Sequence, residues 1–245
     1  MTRLYHSDDL FTDGVITLTT AQNHYLRHVL RAEVGHKLTV FNDRDGEWSA
    51  ILSSSSKAGS SITLEEQVRP AVLPPELSLL FVPIKHDPLT YLVEKATELG
   101  VRHFYPVLSE RSNIFRLNED RLRSNIIDAT QQCERFDIPT IYSLMPMRKT
   151  LESWDRHVPL FVCQERGEVL SITSALKSLS PLSPAAFLIG PEGGFSATEI
   201  TYLQSFTFTR FVSLGPRILR AETAAIAALS CYQSLVGDWN SSLGS

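Results

Sequence analysis

Arg220 and Glu222 stand on either side of Ala221, at the head of an alanine-rich run. A fixed guanidinium there could stabilise negative charge developing on a reacting group, hold a phosphate, or pair with Glu222. Glu222 could act as a general base, or could be a first-turn carboxylate favoured by the helix dipole. Both residues close the junction Phe211-Val212-Ser213-Leu214-Gly215-Pro216-Arg217-Ile218-Leu219-Arg220-Ala221-Glu222-Thr223. A second junction precedes it, Phe187-Leu188-Ile189-Gly190-Pro191-Glu192-Gly193-Gly194-Phe195-Ser196. In each, an apolar run feeds a glycine-bearing turn and the turn feeds a helix start. Gly190 permits close approach of a backbone or ligand, and Gly193-Gly194 permit positive φ. Ser196 and Glu199 have the spacing of a capping box. Open α/β sheets bind ligands beyond the carboxyl ends of their strands, so two such exits point to one ligand site. Spacing alone leaves a second reading open, in which the glycines serve only as turns.

Several chemistries are excluded. The chain has no G-x-G-x-x-G, no G-x-x-x-x-G-K-[ST] and no serine-centred G-x-S-x-G. No lysine follows Gly193-Gly194 to meet a terminal phosphate. Beside His24 and His28 no other histidine or carboxylate stands at metal-ligand spacing, so no metal site is expected. Cys133, Cys163 and Cys231 are far apart and odd in number, as in a reduced cytoplasmic protein whose cysteines are small buried residues.

The elements that must position these residues follow from periodicity. Up to about Val68 the chain reads as strands: Val15–Leu18, Lys37–Phe41, Trp48–Leu52 and Ser61–Leu64. Ser53–Ser60 reads as a flexible surface loop. One helix interrupts, Gln22–Arg31, with Tyr25, Leu26, Val29 and Leu30 on the face expected to cover a small β-barrel. Its other side carries Arg27, His28 and Arg31, either a solvated face or a phosphate contact. The proline-rich stretch Arg69–Pro75 marks a linker, giving domains over residues 1–72 and 73–245. Beyond it strands and helices alternate. Leu77–Val82, His103–Leu108, Thr140–Tyr142, Pro159–Cys163 and Pro184–Ile189 read as strands. Leu89–Leu99 carries an apolar stripe and ends at Gly100, where a left-handed cap is wanted. Asn118 offers an N-cap to a helix burying Leu122, Ile126, Ala129, Thr130 and Cys133, with Arg121, Asp128, Gln132 and Arg135 opposite. Leu170–Leu179 and Ala221 to about Leu235 are further helices, the last apolar nearly all round. This alternation predicts a covered parallel sheet.

The 245 residues suffice for one large domain or two smaller ones, and 43% hydrophobic against 20% charged residues argues against disorder. A net charge of -4 speaks against coating nucleic acid by bulk charge but leaves room for a local basic patch. No run is long enough to span a membrane, and the first residues lack a signal peptide's apolar core.

The ordered set Gly190-Pro191-Glu192-Gly193-Gly194-Phe195-Ser196 and Leu214-Gly215-x-x-Ile218-Leu219-Arg220-x-Glu222-Thr223-Ala224 resembles the SPOUT class of methyltransferases. Within it, the chain is most similar to the family that methylates N3 of one uridine in 16S ribosomal RNA of the small ribosomal subunit. The resemblance extends to Leu26–Arg31, Lys85, Glu94–Val101, Ser109–Ser112, Gln132 and Arg135. Asp128–Gln131 and Pro216 depart from the family's pattern without removing a group assigned to chemistry. The resemblance implies a Rossmann-like parallel sheet whose C-terminal part forms a deep trefoil knot, with an N-terminal PUA-like β-barrel for RNA. It implies S-adenosylmethionine as cofactor, held by Leu188, Gly190, Pro191, Glu192, Gly193, Gly194, Leu214, Gly215, Ile218 and Leu219. It also implies Arg220 and Glu222 as catalytic residues and a homodimer. Arg111, Gln132 and Arg135 would hold the RNA strand, with Arg3, Arg27 and Arg31 extending the grip, although a surface salt bridge is open for each single arginine. A non-catalytic RNA-binding or ribosome-assembly factor with the same fold is the alternative of a different class; a small-molecule nucleotide enzyme is disfavoured by the absent phosphate loop.

Overall fold

The computed structural model describes residues 2–165, 167 and 169–240. The chain divides into two compact units, Met1–Leu73 with Thr130–Ile138, and Pro74–Ala129 with Pro139–Ser245.

The first unit is built on β1 (Thr2–Tyr5), β2 (Val15–Thr17), β3 (Lys37–Asn42), β4 (Gly46–Ser55) and β5 (Ser60–Arg69), in the order β1-β3-β4-β5-β2. Only β1 and β3 run parallel. Alternate residues point inward, and Leu4, Ile16, Leu38, Val40, Leu52, Ile62 and Leu64 are among the core they form. The β3–β4 turn requires glycine at position 46, where φ is +75° and a Cβ would lie 2.2 Å from the Arg69 carbonyl oxygen. The serine-rich stretch expected to be a loop belongs mostly to strands. Ser53 and Ser54 hydrogen-bond across to Ser61, and only residues 56–59 form the turn.

The expected helix at residues 22–31 takes a different form. α1 (Thr20–His24) starts in a Thr19/Gln22 capping box and widens into a π-helical turn over Tyr25–Val29. Leu30 N–H reaches back to the Tyr25 carbonyl oxygen and Ala32 N–H to that of Leu26. The wider turn breaks the 3.6-residue register, so only Leu26 of the expected apolar face is buried, and Tyr25, Val29 and Leu30 are exposed.

The segment Thr130–Ile138 belongs to this unit. The Arg3 guanidinium lies 3.4 Å from the centre of the Phe41 ring and 5.4 Å from that of Phe136. It donates to Glu47 at 3.0 Å, and Arg69 binds the other Glu47 oxygen. Arg69 also pairs with Glu134.

The second unit holds a sheet in which every pairing is parallel. Its strands are β6 (Leu77–Phe81), β7 (His103–Leu108), β8 (Thr140–Ile141), β9 (Met145–Pro146), β10 (Leu160–Cys163), β11 (Leu170–Ser171), β12 (Ala185–Ile189) and β13 (Thr209–Ser213). Their order is β11-β13-β10-β12-β6-β7-β8, with β9 also on β7. Every residue of β6 and β12 is buried, as their unbroken apolar runs require in a sheet covered on both faces. The helices are α2 (His86–Glu98), α3 (Glu119–Gln132, of which residues 130–132 belong to the first unit), α4 (Met147–Glu152), α5 (Ile172–Leu176), α6 (Ala197–Gln204) and α7 (Ala221–Leu235). Leu89, Leu92, Val93 and Ala96 form the buried stripe of α2, and Gly100 follows it at φ +87°. Asn118 caps α3 through its side-chain oxygen, which accepts the Arg121 N–H at 3.0 Å. The helix expected over 170–179 is shorter, because Leu170 and Ser171 pair with β13 as a strand before Ser171 caps α5. α7 packs against α2, α5 and β12. Among the described residues no helix is long and apolar enough to cross a membrane.

Candidate active site

β13, β10 and β12 are adjacent and parallel, so their carboxyl ends share one edge. A cavity of about 640 Å³ opens there, within the range of small-molecule sites. Each strand end supplies one part of it. From β12 come Ile189 and the turn Gly190–Phe195. From β13 come Phe211, Leu214, Gly215 and residues 217–220, with Ala221 and Ala224 of α7 behind them. From β10 come Cys163, Gln164 and Glu165, and Arg111 joins from the connection after β7.

Local chemistry explains the shape of each turn. A Cβ on Gly190 would lie 2.9 Å from the Phe195 ring, so glycine lets that ring fold back over the strand end. Gly194 and Gly215 have φ values of +67° and +109°, conformations that side chains resist. The Ser213 hydroxyl oxygen accepts the Gly215 N–H at 3.1 Å and tightens the exit from β13. The Ser196/Glu199 capping box is present, and it does more than start α6. Glu199 is 4% exposed; one carboxylate oxygen accepts the Ser196 N–H at 2.9 Å and the other the Glu110 N–H at 2.8 Å. This carboxylate therefore ties residues 109–112 to the end of the glycine turn. A Ser109/Ser112 turn tightens the same segment, and Arg111 donates to the Gly193 carbonyl oxygen.

Of the ten residues expected to hold a cofactor, nine line this cavity. Leu188 does not: as the penultimate residue of β12 it is fully buried among Leu80, Val162 and Leu203. Arg220 lies at the exposed rim as the N-cap of α7, and its guanidinium makes no hydrogen bond or ion pair among the described residues. The pairing with Glu222 is thus not formed. Glu222 is in the first turn of α7, outside the cavity lining, where the helix dipole favours its charge.

The residues expected to grip RNA separate by burial. Arg3 is buried in the Glu47 pair between Phe41 and Phe136, which removes it from any phosphate. Arg135 falls beyond the end of α3, not on its face, and forms a two-pronged, buried pair with Asp137 at 3.0 and 2.8 Å. Arg31, Arg111 and Gln132 are exposed and Arg27 is half-buried. The third strand end carries no signal in the sequence, because Cys163-Gln164-Glu165 holds neither glycine nor proline and resembles any strand exit. Burial, together with the nearby Cys231, pushes the Cys163 thiol up to about 12. Among the described residues no group of histidines, cysteines or carboxylates could hold a metal.

A cavity at the carboxyl ends of central parallel strands, walled by glycine-rich turns, is the arrangement in which α/β proteins bind small ligands. The family model described as an RNA methyltransferase domain matches residues 72–233, and that of an RNA methyltransferase PUA domain matches residues 18–65. Ribosomal RNA small subunit methyltransferase E of Rickettsia conorii is 34% identical over 229 residues, covering 93% of each chain. The namesake of Neisseria gonorrhoeae, crystallised with S-adenosyl methionine, superposes with a TM-score of 0.87 at 26% identity, over 98% of this chain and 99% of that one. A putative methyltransferase of Legionella pneumophila in complex with the same cofactor gives 0.86 at 28% identity, over 97% and 98%. The chain belongs to the ribosomal RNA small subunit methyltransferase E family of RNA methyltransferases.

Proposed function

We propose that the protein transfers the methyl group of S-adenosylmethionine to N3 of one uridine in 16S ribosomal RNA of the small subunit. The observation that carries this reading is the cavity at the three strand ends, in a chain whose fold matches two structures solved with that cofactor over 97% or more of its length. The residues present fit the group. Main-chain N–H and C=O groups at Gly190, Glu192, Leu214, Gly215 and Leu219 can read an adenine edge, and Ile189, Phe211 and Leu214 offer apolar wall.

The bound cofactor supplies a methyl already activated on a sulfonium, so that a bond to N3 forms as the sulfur–methyl bond breaks and the N3 proton is lost. The chain's own residues must orient the base and carry the charge this creates. Loss of the N3 proton places negative charge on the uracil oxygens, and the Arg220 guanidinium at the rim is free to receive it. Arg111 is held at the wall by Gly193 and keeps donors for a phosphate. Arg27, Arg31 and Gln132 extend the RNA contact; Arg3 and Arg135 do not take part. We assign Glu222 to the start of α7 and leave the proton to solvent.

Two further features of the family are part of this reading. β13 is inserted between β10 and β11, which are consecutive in sequence, a strand order that supports the trefoil knot. Ile218 is 65% exposed and Ala224, Ile226 and Ala227 on α7 are half-buried, an apolar surface that suits a second copy in a homodimer.

Transfer of labelled methyl to small-subunit particles lacking the modification tests the activity, with mass-spectrometric mapping of the modified nucleoside. Arg220→Ala is expected to lower kcat by about 100-fold with cofactor affinity retained. Failure of the unaltered protein to bind S-adenosylmethionine in a calorimetric titration would sink the proposal.

A further inference from the structure

The connection between β7 and α3, residues 109–118, is fixed at both ends and open in the middle. At its start, Glu110 is bound to Glu199 and Arg111 to Gly193 at the cavity wall. At its end, Asn118 caps α3. Between these anchors, Ile114 and Leu117 are half-buried and hold the segment down. Phe115 lies between them, yet it is 67% exposed. Its ring has no aromatic or cationic partner among the described residues, although several other rings of this unit pair with one another. Its neighbours Asn113 and Arg116 are also exposed.

The placement gives this ring a use. The sheet is parallel, so the connection leaving β7 emerges at the same edge as the cavity. Phe115 lies four positions beyond Arg111, a reach of at most about 14 Å. Unpaired bases are held in RNA sites by stacking on aromatic faces, with arginines on the adjoining phosphates. An exposed ring between Arg111 and Arg116, within reach of the cavity, meets both requirements.

We propose that Phe115 is a positioning residue for the RNA, a platform on which an unpaired base flanking the target uridine stacks while Arg116 holds its phosphate. The inference rests on the RNA-methylating reading above. A protein occupant of the same surface would need apolar area but no π face, and that difference separates the two.

The test uses the full chain and a protein-free single-stranded RNA carrying 2-aminopurine next to the target uridine. Binding is expected to quench the 2-aminopurine. Phe115→Ala is expected to weaken binding by about 5- to 150-fold and raise KM for RNA with little change in kcat. Phe115→Tyr should restore both values to within about threefold, whereas Phe115→Leu, apolar but without a π face, should behave as alanine does. A calorimetric titration with S-adenosylmethionine should be the same for all four proteins. Normal binding and quenching with Phe115→Leu, or with Phe115→Ala, would overturn the inference while leaving the methyltransferase reading intact. Absence of methyl transfer by the unaltered protein to small-subunit particles lacking the modification would overturn that reading, and this inference with it.

Discussion

Replacing Glu199 by alanine should damage both the stability of the second unit and the grip of its cavity. The side chain is 4% exposed and accepts two main-chain N–H groups, from Ser196 at 2.9 Å and Glu110 at 2.8 Å. Alanine removes both acceptors. A buried N–H left without a partner costs about 1–3 kcal/mol. Ser196 is half-buried and Glu110 exposed, so water can satisfy part of each loss, and the sum comes to about 1–3 kcal/mol. For a chain of this length that corresponds to a fall in Tm of about 2–10 °C. Glutamine keeps one oxygen but turns an NH2 group toward the other donor, so Glu199→Gln should lose about half as much, roughly 0.5–1.5 kcal/mol. Because Glu110 neighbours Arg111, loosening it should also lower affinity for S-adenosylmethionine. Urea unfolding followed by circular dichroism measures the first effect and calorimetric titration the second. An alanine variant within about 0.5 kcal/mol of the unaltered protein, with unchanged cofactor affinity, would refute the role given to this carboxylate.

Other expectations follow from single observations. Gly215→Ala should cost about 1–3 kcal/mol through backbone strain alone, since φ is +109° and no atom lies within 4 Å of the added Cβ; chemical unfolding measures it, and an unchanged midpoint would contradict the strain. Burial pushes the Glu47 carboxyl up, but hydrogen bonds from Thr39 and Arg69 and the charges of Arg3 and Arg69 outweigh it and hold it below its ordinary value of 4.5. The stability it contributes is therefore present above that pH and lost as pH falls through the depressed value, so Glu47→Gln should flatten the loss of stability below about pH 4; an equally steep acid limb would show that the pair carries no such linkage. With its thiol pushed up to about 12, Cys163 should resist iodoacetamide at neutral pH until the protein is unfolded, and rapid modification of the native chain, read by mass spectrometry, would disprove this.

Much of the second unit was legible in the sequence. The Ser196/Glu199 box, the glycine at position 100 and the start of α3 at Asn118 all act over a few residues, and each appears where local chemistry places it. The apolar runs of β6 and β12 announced a sheet covered on both faces. A 3.6-residue period predicts one apolar face over residues 22–31, but a π turn shifts it and leaves Tyr25, Val29 and Leu30 outside. The serine run looked like a loop because serine favours turns, yet hydrogen bonds to Ser61 draw it into a hairpin. The contribution of β10 to the cavity left no local mark at all.

The sequence by itself determined where the chain turns, where helices begin and which strands are doubly covered, because capping, left-handed glycines and periodicity depend only on near neighbours. It also carried the two glycine-rich turns that form most of the cavity wall. Which charged groups are free was decided only by the tertiary structure. Arg3 and Glu47 lie 44 positions apart, and Arg111 and Gly193 lie 82 apart. Burial against such distant partners makes Arg3 a structural ion pair and sets Arg111 at the cavity, while Arg220 is left open at the rim. An arginine's side chain is the same in all three places; its role follows from whether the fold supplies a carboxylate, a carbonyl or solvent.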